Sequence, residues 1–86
     1  SKEVLADPHK KNYKSALQEL TQSKGLSIPI YKTIEINKTH DNPKRFFCTV
    51  QIRNLSIAEG WGKSMKQAEK NAASEALKFL EHNKID

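Results

Sequence analysis

The stretch FFCTVQIR at residues 46–53 alternates without a break. Successive side chains of an extended strand point to opposite faces, so Phe46, Cys48, Val50 and Ile52 share one side and Phe47, Thr49, Gln51 and Arg53 the other. A strand with one apolar face needs a cover on that face and partners along its edges, because its backbone N–H and C=O groups must be paired. Two neighbours have β character. Residues 30–36, IYKTIEI, are β-branched and aromatic, and residues 55–59, LSIAE, follow after a turn marked by Asn54. In the first of these, Ile30, Ile34 and Ile36 share a parity that Lys32 interrupts, which leaves the choice of buried face open. Short connections between the strands imply an antiparallel sheet.

The cover comes from both ends of the chain. Residues 12–24, NYKSALQELTQSK, read as a helix. Asn12 suits the N-cap and Gly25 the C-terminal stop. At ~100° per residue, Tyr13, Leu17, Leu20 and the stem of Lys24 fall on one side with Ala16 beside them. A second helix opens at Ser64, with Gln67 three residues on as a capping box, and fades near His82 and Asn83. Its apolar face holds Ala68, Ala72, Ala76, Phe79 and Leu80, with Leu77 at the edge. The small Ala68, Ala72 and Ala73 suit close approach to the sheet. Between them, residues 37–45 are a polar loop with Asn-Pro, and Gly60-Trp61-Gly62-Lys63 reads as a loop whose glycines turn the strand end tightly into the helix. The expected fold is α+β, in the order α-β-β-β-α: a three-stranded antiparallel sheet with two helices packed on one face. Residues 1–11 read as a linker or flexible lead, 12–82 as the folded domain and 83–86 as a flexible end.

Composition narrows the function. Eighty-six residues hold one core and are too few for most enzymes. No window approaches the ~20 apolar residues of a membrane helix, and no signal-peptide core is present. A single cysteine excludes an internal disulfide and points to a reducing, intracellular setting, nucleus or cytoplasm. His9, His40, His82 and Cys48 do not form a zinc set of ordinary spacing. The ten acidic residues are scattered, so no cluster could hold the magnesium of a nuclease centre, and neither catalytic residues nor a metal site are expected here. Position 1 is Ser rather than Met, as expected of an excised or processed piece. The net charge of +5 is concentrated in residues 1–14 and 38–53 and favours an anionic partner.

Three surfaces could meet that partner. Ser15, Gln18, Glu19 and Gln22 point about 170° away from the apolar stripe of the first helix. Such a patch is ordinarily a solvated face, yet short amide and hydroxyl groups also suit ribose 2′-OH groups, which both donate and accept. Lys63, Lys66 and Lys70 gather at the start of the second helix. That end already carries the positive pole of the helix dipole, so the lysines oppose stability there and suit a phosphate, or else serve solubility alone. The loop offers Lys38, His40, Lys44 and Arg45, although a histidine in such a loop is more often simply exposed. Gly60-Trp61-Gly62 is too short for a dinucleotide fingerprint. Cys48 reads as a small hydrophobe of the core. Trp61 reads equally as an exposed side chain or as a partner contact.

Over residues 12–81 the chain resembles a double-stranded RNA-binding domain. NYKSALQELTQ with Pro29 and Tyr31 resembles that family's first helix and strand entry, FFCTVQI its central strand, and AEGWGKSMKQAEKNAASEAL its closing glycine, lysine and alanine motif. Leu17 to Glu19 with Thr21-Gln22 is similar to domains at the C-terminus of ribonuclease III enzymes, Dicer-type ones included. The resemblance implies a module that reads A-form shape over ~16 base pairs, without sequence preference. Ser15, Gln18, Glu19 and Gln22 would enter one minor groove and His40, with Lys38, the next. Lys63, Lys66 and Lys70 would hold the phosphates of the major groove between them. The resemblance also implies no cofactor in this domain, Mg2+ in a parent nuclease domain, and a homodimer formed through that domain. Two departures stand out. Lys38-Thr39 replaces the family's Gly-Pro with a longer gap to Phe46, and Met65-Lys66 replaces its paired lysines. With Trp61, these favour an alternative in which the same fold serves protein association or dimerisation with little RNA binding; the intact first-helix patch opposes it.

Overall fold

A computed structural model describes residues 12–83. The lead 1–11 and the last three residues of the stretch 83–86 lie outside the described residues. The elements are α1 (Tyr13–Ser23), β1 (Ile30–Glu35), β2 (Phe46–Ile52), β3 (Leu55–Gly62) and α2 (Met65–His82). The three strands form an antiparallel sheet in the order β1-β2-β3. α2 lies across β2 and β3 and α1 packs beside α2, so the helices form one layer on one side of the sheet. The α+β order read from the sequence is the one observed.

Local chemistry sets the helix ends. Asn12 Oδ1 accepts from Ser15 N at 3.0 Å, which satisfies one of the unpaired amides of the first turn of α1. At the other end Gly25 adopts φ 72°, its N–H bonds Gln22 O at 3.1 Å, and Leu26 N–H bonds Thr21 O at 2.8 Å. This pair of bonds is a Schellman stop, and the left-handed residue it needs is the glycine. α2 begins at Ser64, whose Oγ accepts from Gln67 N at 3.1 Å, while Gln67 Oε1 reaches back to Lys63 N at 2.7 Å. The capping box therefore closes one residue earlier than the usual form. Asn83 caps the far end, its Nδ2 donating to Phe79 O at 2.9 Å.

The core joins Leu17, Cys48, Val50, Ile52, Ala68, Ala72, Ala73, Ala76 and Leu80. It follows the alternation of β2, with Phe46 half-buried at the rim. The buried side of α1 is wider than the apolar stripe, since Thr21 is fully buried beside Leu17. Its Oγ1 donates to Gln18 O at 2.8 Å, so the hydroxyl is satisfied within its own turn. In β1, Tyr31 and Thr33 face the helices, while the isoleucines face away. The reason lies in what waits beneath the helices. Glu69 Oε1 binds Lys14 Nζ at 2.7 Å, Glu69 Oε2 accepts from Thr33 Oγ1 at 3.4 Å, and Lys14 Nζ lies 4.8 Å from the centre of the Tyr31 ring. Isoleucines at these two positions would leave Glu69 without its hydroxyl partner and Lys14 without its ring.

β3 corrects the sequence reading. The strand does not stop at Glu59 with a loop at 60–63; it continues to Gly62, pairing Gly60 with Cys48, Trp61 with Phe47 and Gly62 with Phe46. The two glycines make room for a helix rather than a turn. A Cβ on Gly60 would press against Ala72 N and lie 2.6 Å from Ala68 O, and one on Gly62 would lie 2.5 Å from Ala68 N. The backbone of α2 thus rests directly on the strand. The β2–β3 turn puts Arg53 and Asn54 at φ 55° and 67°, the two-residue geometry that matches strand twist. Arg53 is held there by bonds from its N–H to Ser27 Oγ at 3.1 Å and from Nη2 to Gly25 O at 3.2 Å.

Candidate nucleic-acid interface

Ser15, Gln18, Glu19 and Gln22 all lie on the exposed side of α1 and line one shallow hollow. Ser15 and Gln18 also line a second hollow that runs from the start of α1 to Ile28, Pro29 and Tyr31. The four groups that the sequence placed together are therefore together. The helix under them is fixed at both ends by its caps and along its length by Leu17 and Thr21.

At the start of α2, Ser64, Lys66, Gln67, Lys70 and Asn71 surround a third hollow. The first turn of this helix holds no acidic residue. Its backbone N–H groups and the helix dipole therefore add to the lysine charge. Lys66 is exposed, whereas Lys70 leans toward α1, its Nζ 6.0 Å from the centre of the Tyr13 ring. Lys63 is exposed just outside the cap and does not line the hollow. Asn71 Nδ2 donates to Trp61 O at 2.6 Å, which ties this turn to the end of β3.

The β1–β2 loop is built differently. Asn37 Oδ1 accepts from Thr39 N at 2.7 Å and Asn42 Oδ1 from Lys44 N at 2.8 Å, two side-chain turns that fold the loop on itself. Asp41 sits at φ 65°. At its base, Arg45 O accepts from Ile36 N at 2.7 Å and Arg45 Nε donates to Glu35 Oε2 at 2.8 Å. Above that base the loop projects into solvent. The His40 side chain is 86% exposed, its Nε2 3.8 Å from Asp41 Oδ1, and Lys38 is exposed beside it. Neither residue lines any of the three hollows formed by the helix patches.

The sequence reading passed over the residues that join these parts. Glu69 links α1 to α2 and β1 through Lys14 and Thr33, and Arg45 clamps the loop base to Glu35. The available signal was an acid at 69 among the lysines of α2, four residues after Met65. Two further groups are inert. Burial pushes the Cys48 thiol up, so it stays protonated and packs as a hydrophobe. The Tyr31 hydroxyl, raised to about 12 chiefly by burial and then by the charges of Cys48 and Glu69, finds no hydrogen-bond partner among the described residues. No group of three metal-ligand side chains occurs among the described residues, and no described helix is long and apolar enough to cross a membrane.

A three-stranded antiparallel sheet with two helices on one face, in the order α-β-β-β-α, defines the class of the molecule: a small two-layer α+β module. The particular family follows from comparison with known proteins. The family model of the double-stranded RNA binding motif matches residues 13–80, and the chain belongs to that family. It is a family of binding modules, and this stretch of chain is one of them. Ribonuclease 3 of Prochlorococcus marinus is 61% identical over 80 residues, covering 93% of this chain and 32% of that protein. Ribonuclease 3 2 of Nostoc sp. is 40% identical over 75 residues, covering 87% and 31%. The chain thus spans about a third of the length of the curated relatives it matches. Among solved structures, Arabidopsis HYL1, described with its implications for miRNA processing, is similar with a TM-score of 0.63 and 30% identity, over 80% of this chain and 94% of that one.

Proposed function

We propose that this chain is the duplex-RNA-binding module of a ribonuclease III-type RNA-processing enzyme. It would bind A-form duplexes by shape through two successive minor grooves and the phosphates between them. The observation that carries the reading is the pairing of the α1 hollow with the lysine-lined start of α2 on two helices tied together by Lys14 and Glu69. Ser15, Gln18, Glu19 and Gln22 meet ribose hydroxyls and base edges in one groove. Lys66 and Lys70, with Lys63 beside the cap, meet phosphates. His40 and Lys38 reach for the next minor groove. The ribonuclease relatives support a parent of the same kind. Catalysis, its Mg2+ and a homodimer would then belong to a nuclease domain of that parent, and the setting would be inside the cell, in nucleus or cytoplasm.

The test is a titration of the chain with a ~20-base-pair RNA duplex, the matching DNA duplex and single-stranded RNA at two salt concentrations. Preference for the RNA duplex is expected. Lys66→Ala with Lys70→Ala should weaken binding at least about tenfold and flatten the salt dependence by ~1 for each lost phosphate contact. Equal affinity for all three nucleic acids, or an unchanged affinity in the double variant, would overturn the assignment.

A further inference from the structure

The side of the sheet opposite the helices holds large apolar groups that the RNA reading does not use. Ile34, Phe47 and Trp61 stand opposite one another across β1, β2 and β3, forming one row. Phe47 and Trp61 pack with ring centres 4.6 Å apart, and Lys44 Nζ lies 5.7 Å from the Trp61 ring. Ile34 remains 56% exposed and Trp61 37%. The adjacent row is Lys32, Thr49 and Glu59, and the next begins with Ile30 and Gln51. Lys32 and Glu59 are both exposed, and neither has an ion-pair partner among the described residues. They stand two strands apart, about 10 Å, on either side of Thr49.

We infer that this face binds a second copy of the chain, sheet against sheet, about a two-fold axis parallel to β2. Rotation about it lays β1 of one copy over β3 of the other at the same height. Ile34 then covers Trp61 and Lys32 meets Glu59, each twice, and Phe47 meets Phe47 on the axis. A two-fold axis across the strands lays each strand on its own copy instead, and centred on the Lys32 row it would stack Lys32 on Lys32 and Glu59 on Glu59. The Glu59 carboxylate on β3 also disfavours a nucleic-acid strand there. The paired area is about 250 Å2 per copy from strand spacing and rise, well below the ~800 Å2 of a stable interface, so the dimer is transient. It leaves the helix layer free, and gains weight wherever two copies are held close together.

Sedimentation and amide chemical shifts of the 86-residue chain, followed from about 20 µM to about 1 mM, test this. Concentration-dependent shifts are expected at Ile34, Phe47, Thr49 and Trp61, with α1 and the start of α2 unmoved. Glu59→Lys or Lys32→Glu alone should weaken association at least tenfold by placing like charges in contact. The double exchange, Lys32→Glu with Glu59→Lys, should restore it. Both residues are exposed, so all three variants should keep the amide spectrum of the folded chain at low concentration. A wild-type chain that stays monomeric to about 1 mM, or a double exchange that fails to restore association, overturns the inference.

Discussion

The joint between β3 and α2 and the loop between β1 and β2 both carry exposed lysines, yet they are held in opposite ways. At the joint, Gly60 and Gly62 let Ala68 and Ala72 rest on the strand, Gln67 spans the cap, and Asn71 grips Trp61 O. The position of Lys66 is therefore set before any ligand arrives. The loop is folded by its own Asn37 and Asn42 turns and clamped at its base by Arg45 and Glu35, with Lys44 against the Trp61 ring. A group on the joint meets a phosphate at little further cost in conformational entropy. A group on the loop, tied to the sheet at its base, returns less of its contact energy as affinity wherever the loop has to be ordered on binding. The difference teaches that position, more than charge, separates the two regions.

The sharpest way to break this comparison is to unseat α2. Gly60→Ala would drive a methyl into the Ala68 and Ala72 backbone, which no side-chain rotation can relieve. The expected loss exceeds about 4 kcal/mol, in the range reserved for severe overpacking, and is read from urea denaturation. A loss below about 1 kcal/mol would show that the helix is not seated on the strand, and the contrast with the loop would fall.

The same joint marks the limit of what the sequence displays. The alternation at 46–53, the two helix stripes and the α1 patch are periodic, so they could be read locally. Gly60 and Gly62 resemble a turn in one dimension, because the helix that needs their missing side chains lies six to twelve residues further on, at Ala68 and Ala72. Thr21 reads as polar, and its burial depends on a hydrogen bond to Gln18 O. The face of β1 was undecidable for a related reason. Three isoleucines suggest an inner side, but Lys14 and Glu69, one from each helix, draw Tyr31 and Thr33 inward. Of the site, the α1 group and the α2 lysines were legible as types at helical spacing. The lean of Lys70 toward Tyr13 and the linking role of Glu69 require the third dimension.

A milder probe of the seated side uses pH. The Tyr31 hydroxyl titrates at about 12 in the folded chain against an ordinary value of 10, so the unfolded chain gives up its proton first. This contribution to stability is complete below pH 10 and is lost as pH rises toward 12. Wild-type stability should therefore fall relative to that of Tyr31→Phe across that window, with the two differing little in slope below it. Comparing the pair removes the shared titration of lysines. Parallel curves throughout would mean that the hydroxyl beneath Lys14 and Glu69 is solvated, and that the helix layer is looser there than its ion pair suggests.

The smallest expected effect belongs to the loop. His40 is exposed and makes no hydrogen bond to Asp41, 3.8 Å away, so His40→Ala should change stability by less than about 0.5 kcal/mol. Its effect on duplex-RNA affinity should be a few-fold, below that of the Lys66 and Lys70 pair, because part of its contact energy goes to ordering the loop. The salt dependence separates the two regions further. A side chain that enters a minor groove rather than meeting a phosphate adds no phosphate contact, so His40→Ala should leave the slope unchanged, while the lysine variants reduce it. An affinity loss for His40→Ala as large as for the lysine pair would mean that the loop is already positioned before binding. Its Asn37 and Asn42 turns would then do for the loop what the glycine seat does for α2.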